Sequence, residues 1–69
     1  MPKGYLVLAP CKEEGFFTFN DVEARYAAGR ASYNQVEISG GIGVSTLADN
    51  FRETFEDQKD DLEIRTLDI

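Results

Sequence analysis

The sequence predicts a small α+β domain in which a mixed sheet of about four strands carries two helices on one face. Two observations predict this class. Four short runs rich in apolar residues have strand composition, and two segments between them combine helix caps with helical spacing of apolar residues. The length fits one globular domain over residues 1–69, and the 42% of hydrophobic residues can form one small core.

The first two elements predict an antiparallel hairpin. The apolar run from Gly4 to Ala9 suits a central strand, and Pro10 ends it because proline cannot donate to a sheet ladder. A polar connection follows, and the aromatic run from Phe16 to Phe19 predicts the second strand.

A helix and a third strand are predicted in the middle of the chain. Asn20 can cap a helix that runs from Asp21 to about residue 29 or 31, and Glu23 lies at the capping-box spacing. In residues 32–39, Val36 and Ile38 alternate with polar residues, which predicts a half-buried strand.

The second helix is predicted over about residues 46–59. Leu47, Phe51 and Phe55 repeat every four residues along it, and Ser45 is its expected N-cap. The predicted order of elements, with a final strand after this helix, is therefore ββαβαβ.

The final strand, residues 62–69, has apolar residues on both faces. Leu62 and Ile64 share one face, whereas Leu67 and Ile69 lie on the other. A bulge or a change of exposed face near Thr66 would account for this pattern.

Charge is unevenly distributed along the chain. Seven basic residues stand against thirteen acidic ones, which gives a net charge of −6. Residues 1–48 hold four bases and five acids, net −1, while residues 49–69 hold three bases and eight acids, net −5. This balance argues against direct binding to nucleic acid or to an anionic membrane, and it favours a basic protein partner or simply solubility.

The acids of the second predicted helix follow a helical period, which makes them the candidate partner-binding residues. On one helix, spacings of 4, 7 and 11 place carboxylates along one stripe. The stripe can imitate a row of phosphates and occupy the basic surface of a nucleic-acid-binding protein, or it can serve only as a solvated face. Its residues are Asp49, Glu53, Glu56, Asp57 and Asp60.

The composition disfavours catalysis, metals and cofactors. The chain has no His and one Cys, so it lacks both a Cys/His zinc set and the usual base of a Ser or Cys triad. The lone Cys11 is consistent with a reducing cytoplasm, because a single cysteine cannot form an internal disulfide. A transmembrane helix needs about 20 consecutive apolar residues, and no apolar run in the sequence is nearly that long. We therefore expect a non-enzymatic cytoplasmic protein without metal or cofactor.

Two alternative sites are predicted. The Gly-rich turn before the second helix can bind an anion through backbone N–H groups, using Gly40, Gly41, Gly43 and Ser45, which would make the chain a small ligand-binding domain. Aromatic side chains on the sheet, namely Tyr5, Phe16 and Tyr33, can form an interface with a partner or with a second copy, as in a homodimeric structural subunit.

In size, acidity and compactness the chain is similar to small virus-encoded inhibitors of bacterial defence or transcription, with which it shares no motif. The similarity implies an inhibitor that blocks a larger protein. The leading hypothesis from the sequence is thus an acidic protein-interaction module.

Overall fold

A computed structural model of the chain describes residues 2–39 and 44–69, which form a small α+β fold. Its strands are β1 (Lys3–Leu8), β2 (Gly15–Thr18) and β3 (Glu63–Asp68). Its α-helices are α1 (Asp21–Ala27), α2 (Tyr33–Ile38) and α3 (Thr46–Thr54), and a 3₁₀ helix (Glu56–Asp61) follows α3.

The sheet has three strands in the order β2-β1-β3, and both pairings are antiparallel. The predicted hairpin is confirmed, with Val7 opposite Phe16. On its other side Val7 lies opposite Ile64. The prediction of a mixed four-strand sheet in the order ββαβαβ was wrong for the described residues, because one predicted strand is a helix.

That helix is α2, which occupies residues predicted as a strand. The Ser32 side chain accepts a hydrogen bond from the Gln35 N–H, and the Gln35 side chain accepts one from the Ser32 N–H at 2.8 Å. This capping box satisfies two N-terminal donors. Val36 is fully buried but Ile38 is 84% exposed, so the alternation of the two did not mark one buried strand face.

Helix α3 ends five residues earlier than predicted. Phe55 caps it with non-helical angles, and the chain continues as the 3₁₀ helix, in which Gln58 also departs from helical geometry. The Thr54 hydroxyl donates a hydrogen bond to the Asn50 carbonyl, and such side-chain bonds to the preceding turn slightly destabilise and bend helices. The clustered carboxylates that follow Thr54 also repel one another. Both effects favour a break at this point.

Helix α1 begins and ends close to the predicted positions. The Asn20 side chain accepts hydrogen bonds from two N–H groups of the first turn. At the other end Gly29 has a φ of +75°, and Arg30 N–H bonds the Arg25 carbonyl at 2.7 Å. This Schellman motif needs the left-handed conformation that glycine adopts without strain.

The core lies between the helices and one face of the sheet. Val7 and Phe16 of the sheet pack with Ala24 and Ala27 of α1 and with Phe51 of α3. The small alanines of α1 allow this helix to lie close to the strands. Within the part of the chain that the structure describes, the opposite face of the sheet contributes no buried hydrophobic side chain to this core.

Candidate functional site

The predicted acidic stripe is divided between two elements. Glu53 lies on α3, whereas Glu56, Asp57 and Asp60 lie on the 3₁₀ helix, and all four residues are exposed. Because α3 ends at Thr54, these carboxylates do not follow one straight helix. We call residues 53–61 the acidic segment; it also includes the exposed Asp61.

Asp49 has a different environment. Its carboxylate accepts a short hydrogen bond from the buried Tyr26 hydroxyl of α1. Arg52 lies 4.4 Å above the Tyr26 ring and donates to the Ala31 carbonyl at 2.9 Å. The hydrogen bond to Asp49, followed by burial, raises the pKa of Tyr26 above its usual value. Asp49 therefore connects α3 to α1 inside the fold.

The acidic segment is held in place through its main chain. Arg30 donates to the Leu62 carbonyl at 2.7 Å and to the Lys59 carbonyl at 3.4 Å. The Lys59 side chain lies over Gly29, where an added Cβ would be 3.0 Å from the Lys59 Cβ. The segment is thus fixed against the end of α1 while its carboxylates stay at the surface.

No carboxylate of the acidic segment forms an ion pair within the described residues. The ion pairs there join Lys12 to Glu63, Arg65 to Glu63, and Arg25 to Asp21. The guanidinium groups of Arg30 and Arg52 hydrogen-bond to main-chain carbonyls instead. The negative charge of the segment is therefore not neutralised by these cations.

The candidate anion site can be located only in part. Gly40, Gly41 and Gly43 lie outside the described residues. Ser45 is the N-cap of α3, and its side chain accepts from the Ala48 N–H. Its own N–H donates to the Glu23 carboxylate at 3.1 Å, so a carboxylate of the chain itself already lies at this helix start.

The three predicted interface aromatics do not form one exposed surface. Phe16 is only 7% exposed and packs against Phe51, with ring centroids 6.3 Å apart. Tyr5 is half-buried against the core. Tyr33 is exposed but lies on α2, where its ring meets Tyr26 edge to face.

The exposed aromatics of the sheet are instead Phe17 and Phe19. Their rings meet edge to face with centroids 5.0 Å apart, and they are 40% and 61% exposed. Side chains alternate across a strand, so these rings lie on the face opposite the core. We call this surface the open sheet face; it consists of Leu6, Leu8, Phe17, Phe19, Leu67 and Ile69.

Gly4 allows the two edges of the open sheet face to meet across β1. A Cβ at this position would lie 2.6 Å from Phe17 Cε1 and 2.9 Å from Ile69 Cδ1. Those distances are shorter than van der Waals contact, so any larger residue at this position would have to displace the ends of both side chains. The sequence analysis placed Leu67 and Ile69 on the strand face opposite Ile64, and the alternation of side chains along β2 likewise places Phe17 opposite Phe16. The register of the three strands brings Phe17, Leu67 and Ile69 onto one face.

A charged cluster occupies the border of the open sheet face at the β1 carboxyl end, and part of it lies on the face itself. Glu63 stands opposite Leu8 and Arg65 stands opposite Leu6, and Glu63 pairs with Lys12 at 2.5 Å and with Arg65. Hydrogen bonds from Lys12 and then from Arg65 lower the pKa of Glu63 to about 2. This border carries two bases and one acid, whereas the acidic segment carries five acids and one base, Lys59.

An apolar groove of about 430 Å³ lies between β2 and α3. Phe51, Phe55 and the exposed Leu47 line it, and Phe17 of the open sheet face also reaches it. Within residues 2–39 and 44–69 no group of three His, Cys, Asp or Glu is placed to hold a metal ion, and no helix is long and apolar enough to cross a membrane.

No protein-family model matches this sequence, and comparisons with curated proteins and with solved structures give no significant match.

Proposed function

We propose that this chain is a non-enzymatic protein-interaction module that binds a basic surface of a larger protein through its acidic segment. The observation that carries the proposal is the arrangement of cations around the segment. Arg30 donates to main-chain carbonyls rather than to carboxylates, so the adjoining acids keep their charge for a partner. The contact residues are Glu53, Glu56, Asp57, Asp60 and Asp61.

The sharper form of the proposal is an inhibitor of a nucleic-acid-binding protein. Such a protein presents clustered Lys and Arg side chains to phosphates, and fixed carboxylates can occupy the same positions. The anchoring of Lys59 and Leu62 carbonyls by Arg30 holds the segment before it binds, which lowers the ordering cost of association. Asp49 is left out of the contact set because it serves Tyr26.

The test is capture of partners on the tagged chain from a lysate, with elution by rising salt and identification by mass spectrometry. The variant Glu53→Gln/Glu56→Gln/Asp60→Asn removes three charges from the acidic segment. The matched control, Glu13→Gln/Glu14→Gln/Glu37→Gln, removes three charges from exposed positions elsewhere.

The expected result is a nucleic-acid-binding protein that elutes as salt rises, because screening weakens exposed charge contacts. The first variant loses this partner and the control retains it. Equal capture by both variants, or equal loss from both, would contradict a specific role for the segment, since net charge alone would then explain the result.

A further inference from the structure

The open sheet face is large enough to serve as an interface core. Phe17, Phe19, Leu67 and Ile69 are 40%, 61%, 37% and 54% exposed. With about 200 Å² for a large side chain, they offer on the order of 350 Å² of apolar surface. Half-buried Leu6 and Leu8 bring this close to the roughly 500 Å² of apolar surface that each partner gives to a standard interface.

A chain of this size gains stability from covering that face. Small domains usually supplement their limited core with disulfides, a metal or oligomerisation. Cys11 is a free, exposed thiol, and among the described residues no three His, Cys, Asp or Glu side chains are placed together to hold a metal ion. Of these three means of stabilisation, oligomerisation is the one for which the described residues offer a surface, namely the open sheet face.

The charges around the face select a second copy as the occupant. Lys12, Glu63 and Arg65 together carry a net charge of +1. Because the net charge of the chain is −6, all other residues together carry −7. A basic partner is drawn to the acidic segment, and an anionic lipid surface is repelled by the net charge. The charges at the open sheet face have both signs, so two copies of this acidic chain repel each other less there than at the acidic segment.

We propose that two copies of this chain form a symmetric dimer by stacking their open sheet faces. A two-fold axis places the same patch on both sides, and a border that carries both signs can be complementary to itself. The two sheets pack about 10 Å apart, with β1 in the centre and Phe17 and Phe19 on the β2 side. The acidic segments stay outside the interface, so this proposal does not depend on the proposed function.

The test is sedimentation equilibrium of the whole chain from about 5 to about 500 μM, since dimerisation depends on concentration. Phe19→Asp and Ile69→Asp place charge in the proposed interface. Leu47→Asp and Ile38→Asp are matched controls, because these exposed apolar residues lie on α3 and α2. Arg65→Glu reverses one charge of the cluster that lies opposite Leu6 and Leu8, and circular dichroism checks that each variant is folded.

The expected result is a species of twice the 7.7 kDa chain mass that persists in the two controls. Phe19→Asp and Ile69→Asp raise the dimer Kd by about tenfold or more, and Arg65→Glu raises it as well. Added salt strengthens the dimer because it screens repulsion between two acidic chains, whereas salt weakens binding at the acidic segment. The two proposals therefore fail independently.

Two results would overturn the dimer. One is a monomer at every concentration, including one that cosediments with phosphatidylcholine vesicles and so uses the face for lipid. The other is a dimer that Leu47→Asp or Ile38→Asp disrupts and Phe19→Asp does not, because the interface would then be the groove or α2.

Discussion

At the scale of single residues, Tyr26 is the polar centre of the fold. Its hydroxyl reaches Asp49 of α3, and its ring lies beneath Arg52, whose guanidinium also holds the Ala31 carbonyl. Because its pKa is raised in the folded state, this contribution to stability is complete below the ordinary value of 10.0. It is lost as pH rises through the higher folded pKa.

We predict that Tyr26→Phe lowers the free energy of unfolding by about 1–2 kcal/mol, because it leaves the half-buried Asp49 carboxylate without its donor. Urea denaturation measures the change. Tyr33→Phe is the control, since Tyr33 is exposed and its hydroxyl forms no hydrogen bond within the described residues. Equal losses in both variants would show that the hydroxyl of Tyr26 has no special role.

At the scale of secondary structure, local side chains decide where helices begin and end. Ser32 and Gln35 form a complete capping box, and this spacing was already visible in the sequence. The alternation of Val36 with Ile38 led to the prediction of a strand instead. A short helix with one buried residue can also have apolar residues two positions apart. The break of α3 at Phe55 likewise follows from Thr54 and from the carboxylates beyond it.

We predict that Ser32→Ala destabilises the protein by about 1 kcal/mol, because the N-cap acceptor of α2 is lost. Asn34→Ala is the matched control, at an exposed position within the same helix. Urea denaturation gives the free energies, and backbone carbon chemical shifts report the helix. A neutral Ser32→Ala, or strand-like shifts in residues 33–38, would contradict the capped helix.

At the scale of the whole molecule, the acidic segment costs stability while the open sheet face offers a way to regain it. The segment concentrates five acids and one base on one short stretch, and the guanidinium groups of Arg30 and Arg52 hydrogen-bond to main-chain carbonyls. Repulsion within a fold is screened by salt. The cost should therefore be visible as a salt dependence of the melting temperature.

We predict that the melting temperature at neutral pH and fixed chain concentration rises by about 2–5 °C between low and moderate salt. Glu53→Gln/Glu56→Gln/Asp60→Asn melts higher at low salt and gains less from salt. The triple variant at residues 13, 14 and 37 keeps most of the salt dependence. Identical salt dependence in all three proteins would mean that the segment adds no local repulsion.

Local patterns along the chain were sufficient to predict the α+β class, the hairpin and the caps of α1 and α3, and they show the concentration of acids in residues 49–69. These features depend on neighbours along the chain, and local composition and spacing report them directly. The apolar residues on both faces of the final strand were also visible, since side-chain alternation is a local property.

Which of these residues meet depends on the tertiary structure. The register of β1 with β2 and β3 places Phe17 beside Ile69 across Gly4, and no helix of residues 2–39 and 44–69 adds a buried hydrophobic side chain on that face. Because α1 packs against α3, the Tyr26 hydroxyl donates a hydrogen bond to Asp49, which therefore does not belong to the acidic segment. Both outcomes depend on contacts between residues far apart in the chain, which no local pattern specifies.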